Sequence, residues 1–128
     1  MILLGFVLAA LAALVHVFIF WMESLAWTSE RARRTFGTGT VQEAEATREL
    51  AFNQGFYNLF LAIAVVLGIA LYAAGHHAVG ATLVFTGAGS MAAALVLLLS
   101  SPDKRGAALK QGVVPAFGVA ALAVGLRV

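Results

Sequence analysis

The sequence predicts an all-α protein, an up-down-up-down bundle of four transmembrane helices. Of its 128 residues, 62% are hydrophobic and only 11% are charged, and the mean hydropathy is +0.95. A soluble domain carries about 25% charged residues, so this chain has too few to cover a surface in water. The apolar residues form four segments, each near the ~20 residues that a helix needs to cross a bilayer. The four predicted spans, in a single integral membrane domain, are approximately 2–27, 51–74, 78–100 and 107–126.

The first segment, MILLGFVLAALAALVHVFIF and the residues after it, is expected to remain as a membrane helix. It has no basic residue before Arg31, and its apolar run is too long for a signal peptide. Trp21 and Trp27 near its end are typical of the aromatic belt where a helix leaves the bilayer.

The second helix is expected to begin near residue 41, before the membrane. Its start lies within the one long polar connection, residues 28–50, in which Thr40-Val41-Gln42-Glu43 has the sequence of a capping box. In that motif the Thr hydroxyl and the Glu carboxylate accept hydrogen bonds from free N–H groups at a helix start. A helix running from there to Ala74 would be about 50 Å long, more than the membrane requires. Either its first turns protrude, or Gly55 bends it at the surface.

The other connections are short, which favours antiparallel neighbours. A Gly75-His76-His77 turn precedes the third segment, and Ser101, with Pro102 and Asp103 after it, is expected to cap the fourth helix. The third segment repeats small residues at a spacing typical of close helix packing, namely Thr82, Thr86, Ser90 and Ala94.

The distribution of basic residues predicts the orientation. Seven of the eight Lys and Arg residues lie in or beside the first and third connections, and only Arg127 lies near a terminus. Basic residues are retained on the cytoplasmic side of membrane proteins. We therefore expect a multi-pass protein of the cell membrane, with residues 28–50 and 101–106 in the cytoplasm and both termini outside.

Polar side chains within the apolar segments gather at one depth. With the first helix running inward and the second and fourth outward, the polar residues of all three fall in the cytoplasmic half. Many are four or seven residues apart, which places them on shared helix faces. Pro115 has no N–H, so the carbonyl of Gln111 loses its helical partner and adds to the polarity there. We interpret the cluster as the lining of a pocket.

The pocket supplies candidates for catalysis and for binding. Ionisable residues inside a membrane are costly and usually functional, so His16 and Glu23 are the candidate acid–base pair, with Tyr57 as a third candidate catalytic residue. The candidate ligand-binding residues are Trp27, Asn53, Gln54, Asn58 and Gln111. The alternatives are that the amides form hydrogen bonds between helices and that Glu23 pairs with Arg31, Arg33 or Arg34 among the lipid headgroups.

The same residues resemble a known family. His16, Glu23, Trp27, the pair Phe36-Gly37, the run Asn53-Gln54-Gly55-Phe56-Tyr57-Asn58 and the segment from Gln111 to Pro115 are similar to small bacterial membrane proteins known only as a domain of unknown function, DUF1304. The resemblance covers nearly the whole chain. It implies a four-span bundle of this length and carries no assigned reaction.

Three functions are compatible with the sequence. The favoured one is binding or transformation of a small lipophilic molecule, for which isomerisation or hydration would suit the residues. The others are a proton-coupled transporter acting as a dimer, and a structural or regulatory membrane subunit with no ligand.

The expected partners follow from the composition. The chain has no Cys and no nucleophile-elbow, phosphate-loop or metal motif, so no cofactor, metal or nucleic acid is expected. Membrane lipid is the expected surrounding. Small residues on the fourth helix, Ala116, Ala120 and Gly125, would also permit a homodimer.

Overall fold

The computed structural model describes residues 1–100 and 105–127, and within these ranges all regular structure is helical, with no strand. Four helices are long and apolar enough to cross a membrane, which confirms the predicted all-α bundle; they are Ile2–Leu25, Arg48–Ala73, His77–Val96 and Ala108–Leu126. The cap predicted at Ser101, Pro102 and Asp103 lies outside the described residues.

The spans are made of both regular and irregular helix. α1 covers Ile2–Phe20 and continues as one π-helical turn, Trp21–Leu25. The second span is α4, Arg48–Ala73, and the third is α5, His77–Ala92, extended by a 3₁₀ turn over Ala93–Val96 and the four-residue α6, Leu97–Ser100. The fourth span belongs to α7, Arg105–Leu126.

The four spans form a ring in chain order. α1 packs against α4 and α7, and α5 packs against the same two helices from the opposite side. Neighbouring helices run antiparallel, since Gly5 near the start of α1 lies against Leu122 near the end of α7, and Gly68 near the end of α4 lies against Gly80 near the start of α5. We call the end with residues 1 and 127 and the α4–α5 turn the terminal end, and the opposite end the loop end.

The half of the bundle at the terminal end is packed around small residues. Its buried core combines alanines from α1, α4 and α5 with Val65, Val84 and Leu122. α4 and α5 approach so closely that a Cβ built on Gly80 would lie 2.5 Å from the backbone nitrogen of Tyr72. Small residues allow such contacts where lipid supplies no hydrophobic force between helices.

The packing face of α5 differs from the one predicted. Thr82, Thr86 and Ser90 are exposed, and the hydroxyl of Thr82 donates to the carbonyl of Ala78 in its own helix. The residues that pack inward are two positions earlier along the helix, namely Gly80, Val84 and Ala88. A four-residue spacing identifies a shared face, but not which neighbour the face meets.

Two short helices, α2 (Glu30–Phe36) and α3 (Val41–Ala46), fold over the loop end. The predicted capping box is present, since the Thr40 hydroxyl accepts from the N–H of Glu43 and the Glu43 carboxylate accepts from the N–H of Thr40. The helix that it starts ends at Ala46, and α4 begins anew after Thr47, whose φ of −112° is not helical. The connection therefore contains a break instead of one long protruding helix.

Candidate functional site

A cavity of about 870 Å³ opens at the loop end, between the membrane helices and beneath α2 and the turn that follows it. All four spans contribute to its wall. The lining residues are His16, Glu23, Trp27, Arg34, Thr35, Phe36, Gly37, Thr38, Thr47, Gln54, Asn58, Leu61, Ser90, Met91, Ala93, Ala94, Gly106, Lys110 and Gln111.

Glu23 is a buried carboxylate on the π turn that ends the first span. Its side chain is 7% exposed, and Oε2 accepts a hydrogen bond of 2.7 Å from Nδ2 of Asn58 on α4. Within residues 1–100 and 105–127 no cation pairs with it, because the ion pairs there join Arg34 to Glu30 and Arg48 to Glu45. The structure therefore contains a neutral amide partner for Glu23 in place of the headgroup ion pair that the sequence also allowed.

The π turn is held against α4 by two features. The Ser24 hydroxyl donates to the carbonyl of Phe52 at 2.9 Å. Gly55 lies directly opposite, where any Cβ would collide with the side chain of Ser24. Gly55 therefore permits close approach within the uninterrupted α4, rather than bending it. This contact brings Glu23 within hydrogen-bond distance of Asn58.

His16 lies two turns further into the bundle than Glu23, about 10 Å along the helix axis. It is 2% exposed, and Nδ1 lies 2.9 Å from the carbonyl oxygen of Ala12. A carbonyl oxygen can only accept, so Nδ1 carries the proton and Nε2 of the neutral ring is an acceptor. Nε2 has no hydrogen-bond partner among the described residues, and the ring makes no direct ion pair with Glu23.

Trp27 connects the helices that cover the cavity. Its Nε1 donates to the carbonyl of Ala44 at 2.8 Å, close to the hydroxyl of Thr47, and its ring packs 5.2 Å from that of Phe36. Ala32 of α2 is buried against Ile19 and Met22 of the first span. The indole and the apolar face of α2 thus fix the cover of the cavity on the bundle.

Two of the predicted site residues lie outside the cavity. Asn53 and Tyr57 are exposed on α4, Tyr57 to 61%, and neither lines the cavity. Gln54 and Asn58 do line it, because they lie one position along the helix, about 100° around its axis. Tyr57 is therefore not placed to act on a molecule bound there. The other predicted site residues, His16, Glu23, Trp27 and Gln111, also line the cavity.

Several lining residues were not predicted as site residues. Ser90, Met91, Ala93 and Ala94 come from the third span, where they have the composition of a packing face. Thr35 and Thr38 come from α2 and the turn after it. Only the pair Phe36-Gly37, within the family resemblance, gave a signal in that segment.

Several polar groups that line the cavity have no hydrogen-bond partner among the described residues. The carboxamides of Gln54 and Gln111 and the hydroxyl of Ser90 form no side-chain hydrogen bond with any residue that the structure describes. The Thr38 hydroxyl is buried and also unpartnered. Unpaired buried polar groups cost about 1–3 kcal/mol each, so water or a ligand is needed to satisfy this one.

Comparison with known sequences places the chain in a family. The family described as "Protein of unknown function (DUF1304)" matches residues 10–123, which include every residue predicted for the site. No curated protein and no solved structure matches the chain. Since the match covers most of the sequence, this four-helix membrane protein belongs to the DUF1304 family.

Proposed function

We propose that this membrane protein binds a small lipophilic molecule in the loop-end cavity, with Glu23 and His16 as an acid–base pair beside it. The observation that supports the proposal most directly is the state of Glu23. It is a buried carboxylate whose partner is the neutral Asn58, and it lines the same cavity as a histidine with a free nitrogen. Retaining in a membrane-spanning helix an acid that has no cationic partner among the described residues is costly, which favours a functional role.

The hydrogen bonds of the polar cluster argue against a purely structural role. If the cluster served to join helices, its side chains would bond to one another across the bundle. Among the described residues, two such side-chain pairs are present there, Asn58 with Glu23 and Trp27 with Thr47. Gln54, Gln111 and Ser90 line the cavity without a side-chain partner among those residues, which is the arrangement expected of groups that orient a ligand.

The shape of the cavity suits an apolar ligand with a polar end. Its volume of about 870 Å³ lies within the ~300–1,000 Å³ common for small-molecule sites. Leu61, Met91 and Phe36 supply apolar wall, and the polar groups lie on α1, α4 and α7. A lipophilic molecule would enter from the leaflet at the loop end, which the basic residues assign to the cytoplasmic side.

An acid–base pair suits chemistry that proceeds by proton transfer. Isomerisation of a double bond requires removal of a proton from one carbon and delivery of a proton to another. Two side chains at different depths could perform these steps with no co-reactant, and hydration would require only water in addition. These reactions define the substrate class as an unsaturated, lipid-like compound.

The test is to look for a small molecule that purifies with the protein. Wild-type protein, Glu23→Gln and His16→Ala would be purified in a mild detergent and examined by native mass spectrometry and by solvent extraction. We expect an added mass on the wild type that is reduced at least tenfold on both variants. Thr86→Val, on the exposed face of α5, is the matched control and should retain the added mass. Equal retention by all four proteins would contradict the assigned roles.

A further inference from the structure

We propose that the cavity selects a neutral amphiphile whose polar end is a hydroxyl group. This inference rests on the proposed function and specifies the chemical class of its ligand. It is carried by the hydrogen-bonding character of three groups on α1 and α4, and by the positions of the charged residues around the cavity.

The first group is the imidazole of His16. The contact between Nδ1 and the carbonyl of Ala12 commits the ring proton to that nitrogen, which leaves the lone pair of Nε2 free. His16 lines the cavity, so a molecule bound there can reach its ring. A ligand that presents a hydrogen-bond donor would satisfy Nε2, and a ligand without a donor would displace water from it with no replacement.

The second group is the carboxamide of Asn58. Its Nδ2 donates both to Oε2 of Glu23 and to the backbone carbonyl of Gln54, at 2.7 and 3.2 Å. Both partners are acceptors, so the nitrogen is identified by its contacts, and both of its protons are used. The carboxamide oxygen remains, and it can only accept.

The third group is the second carboxyl oxygen of Glu23, which has no donor partner among the described residues. His16 and Glu23 line the same cavity without contacting each other directly, so one ligand can lie beside both. A hydroxyl group can donate to one of these acceptors, and its oxygen can in turn accept where Glu23 carries a proton. An ether or a hydrocarbon offers no donor and would leave the acceptors unpaired.

Charge around the cavity disfavours the two ionic alternatives. The ionisable groups that line the cavity are His16 and Glu23 inside it and two cations at its exposed rim, Lys110 and Arg34, of which Arg34 pairs with Glu30. An ammonium group would have to pass the cation of Lys110. A carboxylate would meet three acceptors at the inner end, while the cations that could bind it lie in water, where their attraction is screened. A neutral donor meets neither penalty.

The experiment compares four decyl compounds that differ only in the polar end: 1-decanol, decyl methyl ether, decylammonium and decanoate. Each would be titrated, in lipid nanodiscs, into the double variant His76→Gln, His77→Gln, which keeps His16. Binding would be followed by ¹⁵N NMR of the histidine. His16 is then the only histidine of the chain, and donation to Nε2 shifts its resonance toward lower frequency.

We expect decanol to shift the Nε2 resonance and to bind about tenfold more tightly than the ether, the effect of one satisfied hydrogen bond. In His16→Leu the preference for alcohol over ether should fall to about twofold or less. If that variant does not fold, the comparison in the His16-containing protein decides alone. Tighter binding of decylammonium or decanoate than of decanol, or equal binding of alcohol and ether, would overturn the inference.

These outcomes separate this inference from the proposed function. If a molecule purifies with the wild type but decanol shows no preference over its ether, a ligand site exists and the hydroxyl assignment is wrong. If no molecule purifies and none of the four compounds binds, both fail.

Discussion

The two halves of the bundle share the same helices but are filled differently. At the terminal end, glycines and alanines bring α4 and α5 into backbone contact around a solid core. At the loop end the same helices surround a cavity lined by a carboxylate, a histidine and several amides. Four apolar helices therefore do not by themselves produce a packed interior. Small residues close one half, and polar groups together with a cover built from α2 hold the other half open.

This contrast also bears on the transport hypothesis. A route across the membrane would have to pass the half at the terminal end, where Ala9, Val84 and Leu122 are fully buried. A cavity accessible from one side suits binding or catalysis better than alternating access, which is built around a site open to both sides in turn.

The largest effect is expected from enlarging a residue in the packed half. Gly80→Leu would force α4 and α5 apart, because even a Cβ collides with the backbone at Tyr72. We expect a loss of about 3 kcal/mol in the free energy of unfolding, measured by circular dichroism during titration with a denaturing detergent. Ala94→Leu is the matched control, since it adds similar volume to the cavity wall, and it should cost about 1 kcal/mol or less. Equal losses in both variants would show that the two halves are packed alike.

A smaller effect of opposite sign is expected from removing the buried acid. Glu23→Gln keeps a hydrogen-bonding oxygen for Asn58 but removes a carboxylate that has no cationic partner among the described residues. The free energy of unfolding should rise by about 1 kcal/mol, as is common when a functional site is neutralised. Glu49→Gln, an exposed acid at the start of α4, should change it by less than about 0.5 kcal/mol. A clear destabilisation by Glu23→Gln would indicate that the acid serves packing.

A local effect is expected at the cover of the cavity. Trp27→Phe removes the indole N–H that donates to the carbonyl of Ala44, at a cost of about 1 kcal/mol. Amide hydrogen exchange over residues 26–47 should accelerate about fivefold, as that free energy implies. Exchange in the core of the other half should not change. Trp21→Phe is the control, because Trp21 has no side-chain hydrogen bond and stacks only on Phe18 among the described aromatic rings. Uniform acceleration throughout the bundle would contradict a separate cover.

The smallest effect is a pH dependence confined to α3. Hydrogen bonds from the N–H and hydroxyl of Thr40 lower the pKa of Glu43 below its ordinary value of 4.5. Because the folded pKa is the lower one, this contribution is present above pH 4.5 and is lost as the pH falls through the folded pKa. Exchange of the α3 amides, corrected for its intrinsic pH dependence, should rise on acidification in the wild type. In Glu43→Gln, which keeps an acceptor but cannot titrate, it should not.

The sequence predicts the fold well because its signals are local. Hydropathy and length define the spans, and the Thr40–Glu43 capping box depends on residues only three positions apart. The depth of the polar residues also follows from counting along antiparallel helices, so the sequence alone predicts that His16, Glu23 and Asn58 lie close together.

The properties that the sequence did not predict depend on contacts between helices that are distant in the chain. Whether Asn53 or Gln54 faces the cavity is decided by where α1 contacts α4, and a shift of one residue reverses the answer. The contribution of Ser90 and Ala94 depends on the rotation of α5 in the same way. The break at Thr47 reflects a hydrogen bond from its hydroxyl to the carbonyl of Ala44, which also receives the Trp27 indole from a distant part of the chain. The pattern of residues within one segment cannot predict these contacts between segments.

The π turn at Trp21–Leu25 makes the chemistry of the site sensitive to chain length. A π turn accommodates one residue more than an α turn does, and each helical residue advances by about 100°. Deleting Met22 would allow α1 to continue as ordinary helix, and Glu23, which lies inside the turn, would follow His16 by six residues instead of seven. The acid would then point away from Asn58 although no residue of the site had been substituted. A variant that lacks this one residue is expected to keep the bundle and to lose the hydrogen bond between Glu23 and Asn58.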